Sequence, residues 1–153
     1  MIQLSPHFAL NEFTDSATAA ERGIDNAPDS NALANLKSLA WILEQVREVL
    51  GHPIKITSGY RSAALNAAVG GQKMSAHQDG LAADIVCPEY GSPPEVCRAI
   101  ERSGILFDQV ISEHGGREGQ VHWCHFAVGY RGIGGRRECL TIDKNGTRMG
   151  LEG

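Results

Sequence analysis

The sequence predicts an α+β fold: a small, mostly antiparallel sheet backed by helices. Three observations carry this expectation. Residues 30–50 repeat leucine and valine at helical spacing. Four later runs, Pro53–Thr57, Leu106–Ser112, Val121–Val128 and Glu138–Ile142, read as short strands. Glycine-rich loops and shorter helical stretches separate them, a mixed order that suits helices packed on one sheet.

Each element has a local reason. Over residues 4–27, short apolar pieces alternate with breakers. Phe8, Leu10 and Phe13 are set to pack on the body, and Thr14 or Ser16 caps a short helix that runs through Glu21 and stops at Gly23. Ile24 to Pro28 is a turn. In the long helix, Leu33, Leu36, Leu39, Leu43, Val46 and Leu50 share one face, with Asp29 or Ser30 as cap and Gly51 as stop. Trp41 and Arg47 lie off that stripe. Ser62 caps a helix over Ala63–Val69, which ends at Gly70-Gly71. Ser92-Pro93-Pro94-Glu95 has a capping-box form with prolines in the first turn and opens a helix to about Ser103. Asn145-Gly146 marks a turn ahead of a loose tail.

The 153 residues are read as one domain, with a core over about 4–142 and a loose C-terminal tail. With 42% hydrophobic and 21% charged residues, the composition is that of a folded chain and not a disordered one. A net charge of −4 gives no general reason to bind nucleic acid or anionic lipid. No apolar run approaches the roughly 20 residues of a membrane span. Met1 to Leu10 lacks a basic start and a long apolar segment, so synthesis in the cytoplasm without a signal peptide is expected, as a monomer. Cys87, Cys97, Cys124 and Cys139 contain no C-x2-C pair, which argues against a thiolate zinc site and for reduced packing residues.

The chemistry concentrates in Ser75-Ala76-His77-Gln78-Asp79-Gly80-Leu81-Ala82-Ala83-Asp84. His77 precedes a turn at Gly80, and Asp84 lies inside the apolar run Leu81–Val86. A carboxylate in such a run is costly to bury unless paired or bound to a cation. An imidazole nearby makes the two look like half of a metal site with nitrogen and oxygen ligands. The rival reading is a turn histidine and an aspartate bonded to backbone. The second half is Val121-His122-Trp123-Cys124-His125-Phe126. In a regular strand His122 and His125 fall on opposite faces, so only one is a ligand unless the strand begins irregularly. His125, deeper in the strand, is taken as that ligand. Three ligands, His77, Asp84 and His125, leave an open position on a tetrahedral zinc, the pattern of catalytic sites.

Several motifs together carry a resemblance: Phe8-x-Leu10-x-Glu12, Ser58-Gly59-Tyr60-Arg61-Ser62, Leu65-Asn66, Val69-Gly70-Gly71, Ser75-x-His77-x-x-Gly80-x-Ala82-x-Asp84, Asp108-Gln109-Val110-Ile111-x-Glu113 and Trp123-x-His125. From about Leu4 to Ile142 the chain resembles the zinc D-Ala-D-Ala carboxypeptidases and peptidoglycan endopeptidases, whose fold is shared with the Hedgehog signalling domain. The compact form is similar to members from phages and prophages. The resemblance implies one zinc ion per chain on His77, Asp84 and His125. It implies Arg61 as a contact to the substrate carbonyl or oxyanion, and Ser75 as a substrate or supporting contact. Trp123 is read as a wall of the cleft. Several family members have Glu or Asp three residues before the third ligand, where this chain has His122. That leaves two base candidates, His122 and Glu113.

The expected function is therefore hydrolysis of a peptide bond in the stem of bacterial peptidoglycan, by a D,D-carboxypeptidase or an L-Ala-D-Glu endopeptidase of endolysin type acting on the cell wall after release. The rival is a zinc-containing wall-binding or phage structural module without turnover. Nucleic-acid binding is disfavoured by the charge and by the lack of an aromatic-basic platform.

Overall fold

The computed structural model describes residues 1–114 and 122–151. The expected strand start at Val121 and the loop opening at Gly115-Gly116 lie outside the described residues. The chain opens with a small hairpin, β1 (Gln3–Ser5) and β2 (Phe8–Ala9), which the sequence did not announce. Two short helices follow, α1 (Leu10–Thr14) and α2 (Ala17–Arg22). Glu12 accepts the Ala9 N–H at 2.7 Å and closes the start of α1. Ser16 caps α2 through the Ala19 N–H, and Gly23 ends it. The hairpin is fastened to the next helix by one carboxylate. Glu44 accepts from Ser5 Oγ at 2.6 Å and from the His7 N–H and His7 Nδ1, each at 2.7 Å.

The long helix forms as α3 (Ser30–Leu50), capped by Asp29, which accepts the Ala32 N–H at 2.7 Å. Its stripe is the core: Leu36, Leu39, Leu43 and Val46 are fully buried. Each such side chain contributes about 1.5–3 kcal/mol through burial. Trp41, off the stripe, is 56% exposed.

The sheet is built from β3 (Lys55–Ser58), β4 (Ala82–Val86), β5 (Gln109–Glu113), β6 (Trp123–Ala127), β7 (Glu138–Asp143) and β8 (Gly146–Met149). Its order is β3-β4-β6-β5-β7-β8, antiparallel throughout except for the parallel pair β5 and β7. Helix α4 (Ala63–Ala68) follows β3, and α5 (Pro93–Arg102) lies between β4 and β5. The strands at 55–58 and 109–113 start later than the apolar runs suggest. Ile105 and Phe107 fill the core without joining the ladder, so pairing and not hydrophobicity sets the boundary. The turn at Asn145-Gly146 leads into β8, tied back by Arg148 to Asp143 at 2.7 Å.

Alternation along the strands gives the sheet two different faces. Ala83, Ile85, Val110, Cys124 and Phe126 join the core with α3 and α5. Their neighbours Asp84, Ile111, Glu113, Trp123 and His125 belong to the other face, since Asp84 pairs with His125, Ile111 with His125 and Glu113 with Trp123. Two basic residues ahead of β7 make structural contacts: Arg136 pairs with Asp108 at 3.0 Å, and Arg137 stacks 4.4 Å over the Phe107 ring.

Candidate metal centre and active site

His77 is delivered by a tight 3-10 turn, Ala76–Asp79. Ser75 caps that turn, its Oγ accepting the His77 N–H at 3.2 Å, so it supports the site through backbone geometry. Gly80 closes the turn at φ 73°, and a Cβ there would stand 2.6 Å from the Ala32 carbonyl oxygen. Both the left-handed backbone and the approach of α3 therefore require glycine. Asp84 comes from the middle of β4, and His125 sits directly opposite it on β6. All three side chains are buried, at 3%, 5% and 8% exposure for His77, Asp84 and His125.

The three residues converge. His77 Nε2 lies 3.3 Å and His125 Nδ1 3.1 Å from Asp84 Oδ1, and one ligand atom from each lies within 4.8 Å of the others. His77 Nδ1 is 2.7 Å from the Gly59 carbonyl oxygen. A carbonyl only accepts, so Nδ1 carries the hydrogen and Nε2 is the nitrogen that faces Asp84. At 3.3 Å that nitrogen and the carboxylate oxygen are joined either by a proton on Nε2 or by a cation between them. The donor set of two imidazole nitrogens and one carboxylate oxygen suits zinc, and the Gly59 bond is the outer contact that orients such a ligand. Among the described residues no other group of three such side chains converges in this way.

The electrostatics follow from burial. Burial alone would raise the Asp84 pKa, but hydrogen bonds from His125 and His77 outweigh it and hold the carboxyl well below the usual range. Asp84 Oδ2 faces Arg61 at 3.4 Å. Arg61 is fixed from two further sides, donating from Nε to Ser58 Oγ and from a terminal nitrogen to Asn66 Oδ1, each at 3.2 Å. Asn66 is buried and donates in turn to the Gln72 carbonyl at 2.8 Å. Sequence reasoning gave Asn66 no role. The available signal was its position five residues after Arg61, within α4.

Glu113 ends β5 on the metal side of the sheet. Its pKa is raised, first by burial and then by the Asp84 charge, with His125 and Arg61 pulling the other way. Trp123 pairs with Glu113 across the ladder, and its buried indole N–H has no partner among the described residues. His122 has different company. Its Nδ1 lies 3.0 Å from His114 Nδ1, and His114 Nε2 lies 3.1 Å from Ser112 Oγ. Ser112 is opposite Cys124, so this chain of contacts lies toward the face away from His125. The structure thus brings His77, Asp84, His125, Arg61 and Glu113 together and pairs His122 with His114.

A family model described as Peptidase M15 matches residues 6–125. The chain belongs to the peptidase M15 family. The match takes in all three converging residues and Arg61, and the six-stranded mixed sheet backed by helices is compatible with the M15 fold. M15 peptidases are metal-dependent, so family membership and the buried His-Asp-His group together indicate a metallopeptidase. Comparison with curated proteins returns no match.

Proposed function

We propose that this M15 protein is a zinc peptidase that hydrolyses a peptide bond in the stem of bacterial peptidoglycan. The observation that carries the proposal is the buried convergence of His77, Asp84 and His125, with one ligand atom from each within 4.8 Å of the others. A zinc ion held by His77, Asp84 and His125 would supply Lewis acidity for water activation and for polarising the substrate carbonyl.

The protein's own residues do the rest. Glu113, with its raised proton affinity, takes a proton from the attacking water and returns it to the leaving amine. Arg61 offers N–H groups beyond those bonded to Ser58, Asn66 and Asp84, and these stabilise charge developing on the carbonyl oxygen. Its anchors hold the guanidinium still, which lowers the reorganisation cost of that step. The unpartnered Trp123 N–H gives the cleft wall a donor for a substrate carbonyl. The pairing of His122 with His114 supports Glu113 as the base.

No helix among the described residues is long and apolar enough to cross a membrane. Action on the cell wall as a compact endolysin-type hydrolase fits the family and the site. The test is digestion of purified peptidoglycan with and without a chelator, followed by mass analysis of the products. Chelator-sensitive release of a free D-Ala marks a D,D-carboxypeptidase, and a cut after L-Ala marks the endopeptidase. Retained zinc with no product would establish the wall-binding module instead.

A further inference from the structure

The histidine pair where β5 ends and β6 begins is not used by the chemistry above. His114 follows Glu113, the last residue of β5, and His122 precedes Trp123, the first of β6. Their rings meet edge to face with centroids 4.5 Å apart, and the two Nδ1 atoms are 3.0 Å apart. His122 is exposed and His114 half-buried, so solvent reaches the pair. Ser112 is fully buried, and its Oγ lies 3.1 Å from His114 Nε2. A hydroxyl accepts as readily as it donates, so His114 can keep its hydrogen on Nε2 and leave the Nδ1 lone pair for a partner. Burial first, and then the His122 charge, push the His114 pKa below the ordinary histidine value, which favours the neutral ring. The other charges that act on His114 are those of Asp143 and Arg148, which pair with each other at 2.7 Å.

The two imidazoles are therefore already set as neighbours on one ion. Two nitrogens each about 2.1 Å from a metal are about 3.0 Å apart at a right angle and about 3.4 Å apart at the tetrahedral angle. The separation of 3.0 Å fits the right angle. We propose that His114 and His122 form a second metal site, on the face of the sheet away from His125, for a divalent ion of the nickel(II) or copper(II) class. Such ions take imidazole nitrogen in square or tetragonal arrangements, and water fills the positions that the protein leaves open. The ion displaces the hydrogen that joins the two Nδ1 atoms. That hydrogen moves to His122 Nε2 by exchange with water, so both rings stay neutral. The Ser112 hydroxyl orients the His114 ring, as an outer contact does for a metal-binding histidine. The bound ion clips β5 to β6 one residue beyond the Glu113 and Trp123 pair.

The test is a nickel(II) titration of the untagged full chain loaded with one equivalent of zinc, read by calorimetry and by backbone amide NMR. One nickel ion per chain is expected to bind, with the zinc retained by elemental analysis. His114→Ala and His122→Ala should each weaken nickel binding about 100-fold, the upper figure for a disturbed metal site. His52→Ala, which removes a ring paired with Glu89, should leave it unchanged. The paramagnetic ion should broaden the signals of Ser112, His114 and His122 at the lowest dose. No saturable binding, original affinity in both histidine variants, or first broadening around His7 or His52 overturns the inference. So does nickel uptake that occurs only with loss of zinc. The same NMR titration of Asp84→Asn separates the two sites: broadening at His114 and His122 that persists in this variant supports the second site even where the zinc assignment fails, and its loss there overturns it.

Discussion

Asp84→Asn tests the centre most directly, because the substitution keeps shape and removes one charge. Asp84 Oδ1 is the atom both imidazoles approach, at 3.1 and 3.3 Å, so the change removes the anionic ligand and leaves two neutral ones. It also strips Arg61 of its carboxylate at 3.4 Å. Loss of an outer-sphere partner alone costs about 10–100-fold in metal affinity, and loss of a ligand is expected to reach at least the upper figure. At a zinc concentration 100 times Kd, binding stabilises a fold by about 2.7 kcal/mol; a 100-fold weaker site gains about 0.4 kcal/mol under the same conditions. For a chain of this size, 1 kcal/mol moves Tm by about 2–4 °C. Zinc should therefore raise the Tm of the metal-free protein by about 5–11 °C and that of Asp84→Asn by about 1–2 °C. Differential scanning calorimetry of chelator-treated samples, with and without zinc, reads both values, and elemental analysis gives the stoichiometry. An undiminished zinc shift in the variant, with one zinc still bound, would refute the assignment.

Three further outcomes are expected. Arg61→Ala, assayed at saturating zinc, should lower kcat by about 100–1,000-fold, as loss of an oxyanion donor does; wild-type turnover would return the side chain to a purely structural role. Glu113→Gln should abolish most turnover with zinc retained, whereas His122→Gln should cost about tenfold or less. Because burial and Asp84 raise the Glu113 pKa, the base is lost as pH falls through a value above the ordinary glutamate range, and the acid limb of the rate profile should lie there. The reverse ranking of the two variants in kcat would give His122 the base role. The last outcome concerns stability. Burial alone would raise the Glu44 pKa, but the bonds from Ser5 and His7 outweigh it and lower it. Its contribution is therefore present above the unfolded glutamate pKa and fades as pH falls through the lower folded value. Glu44→Ala should cost about 1–2 kcal/mol near neutral pH, and the deficit should shrink in acid when read by urea unfolding.

The α3 helix, its cap at Asp29 or Ser30 and its stop at Gly51 were legible in the sequence, because helical periodicity and capping are local properties of neighbouring residues; the structure chooses Asp29. So was the turn at Gly80 beside His77, whereas the cap that Ser75 places on it came from the structure. The S-x-H-x-x-G-x-A-x-D and Trp-x-His elements pointed to His77, Asp84 and His125 as candidate ligands, and the structure brings these together. The sequence did not show β8 or the parallel pairing of β5 with β7, since register and strand partners depend on residues far apart in the chain. Nor could it supply Gly59 as the acceptor that fixes the His77 ring, or Asn66 as the anchor of Arg61. The two base candidates divide along the same line. Glu113 and His122 are equally plausible as letters, and only the ladder, which pairs Glu113 with Trp123 and Ser112 with Cys124, assigns them different surroundings. Spacing in sequence identifies which side chains can do the chemistry; the alternation of faces across paired strands decides which of them meet.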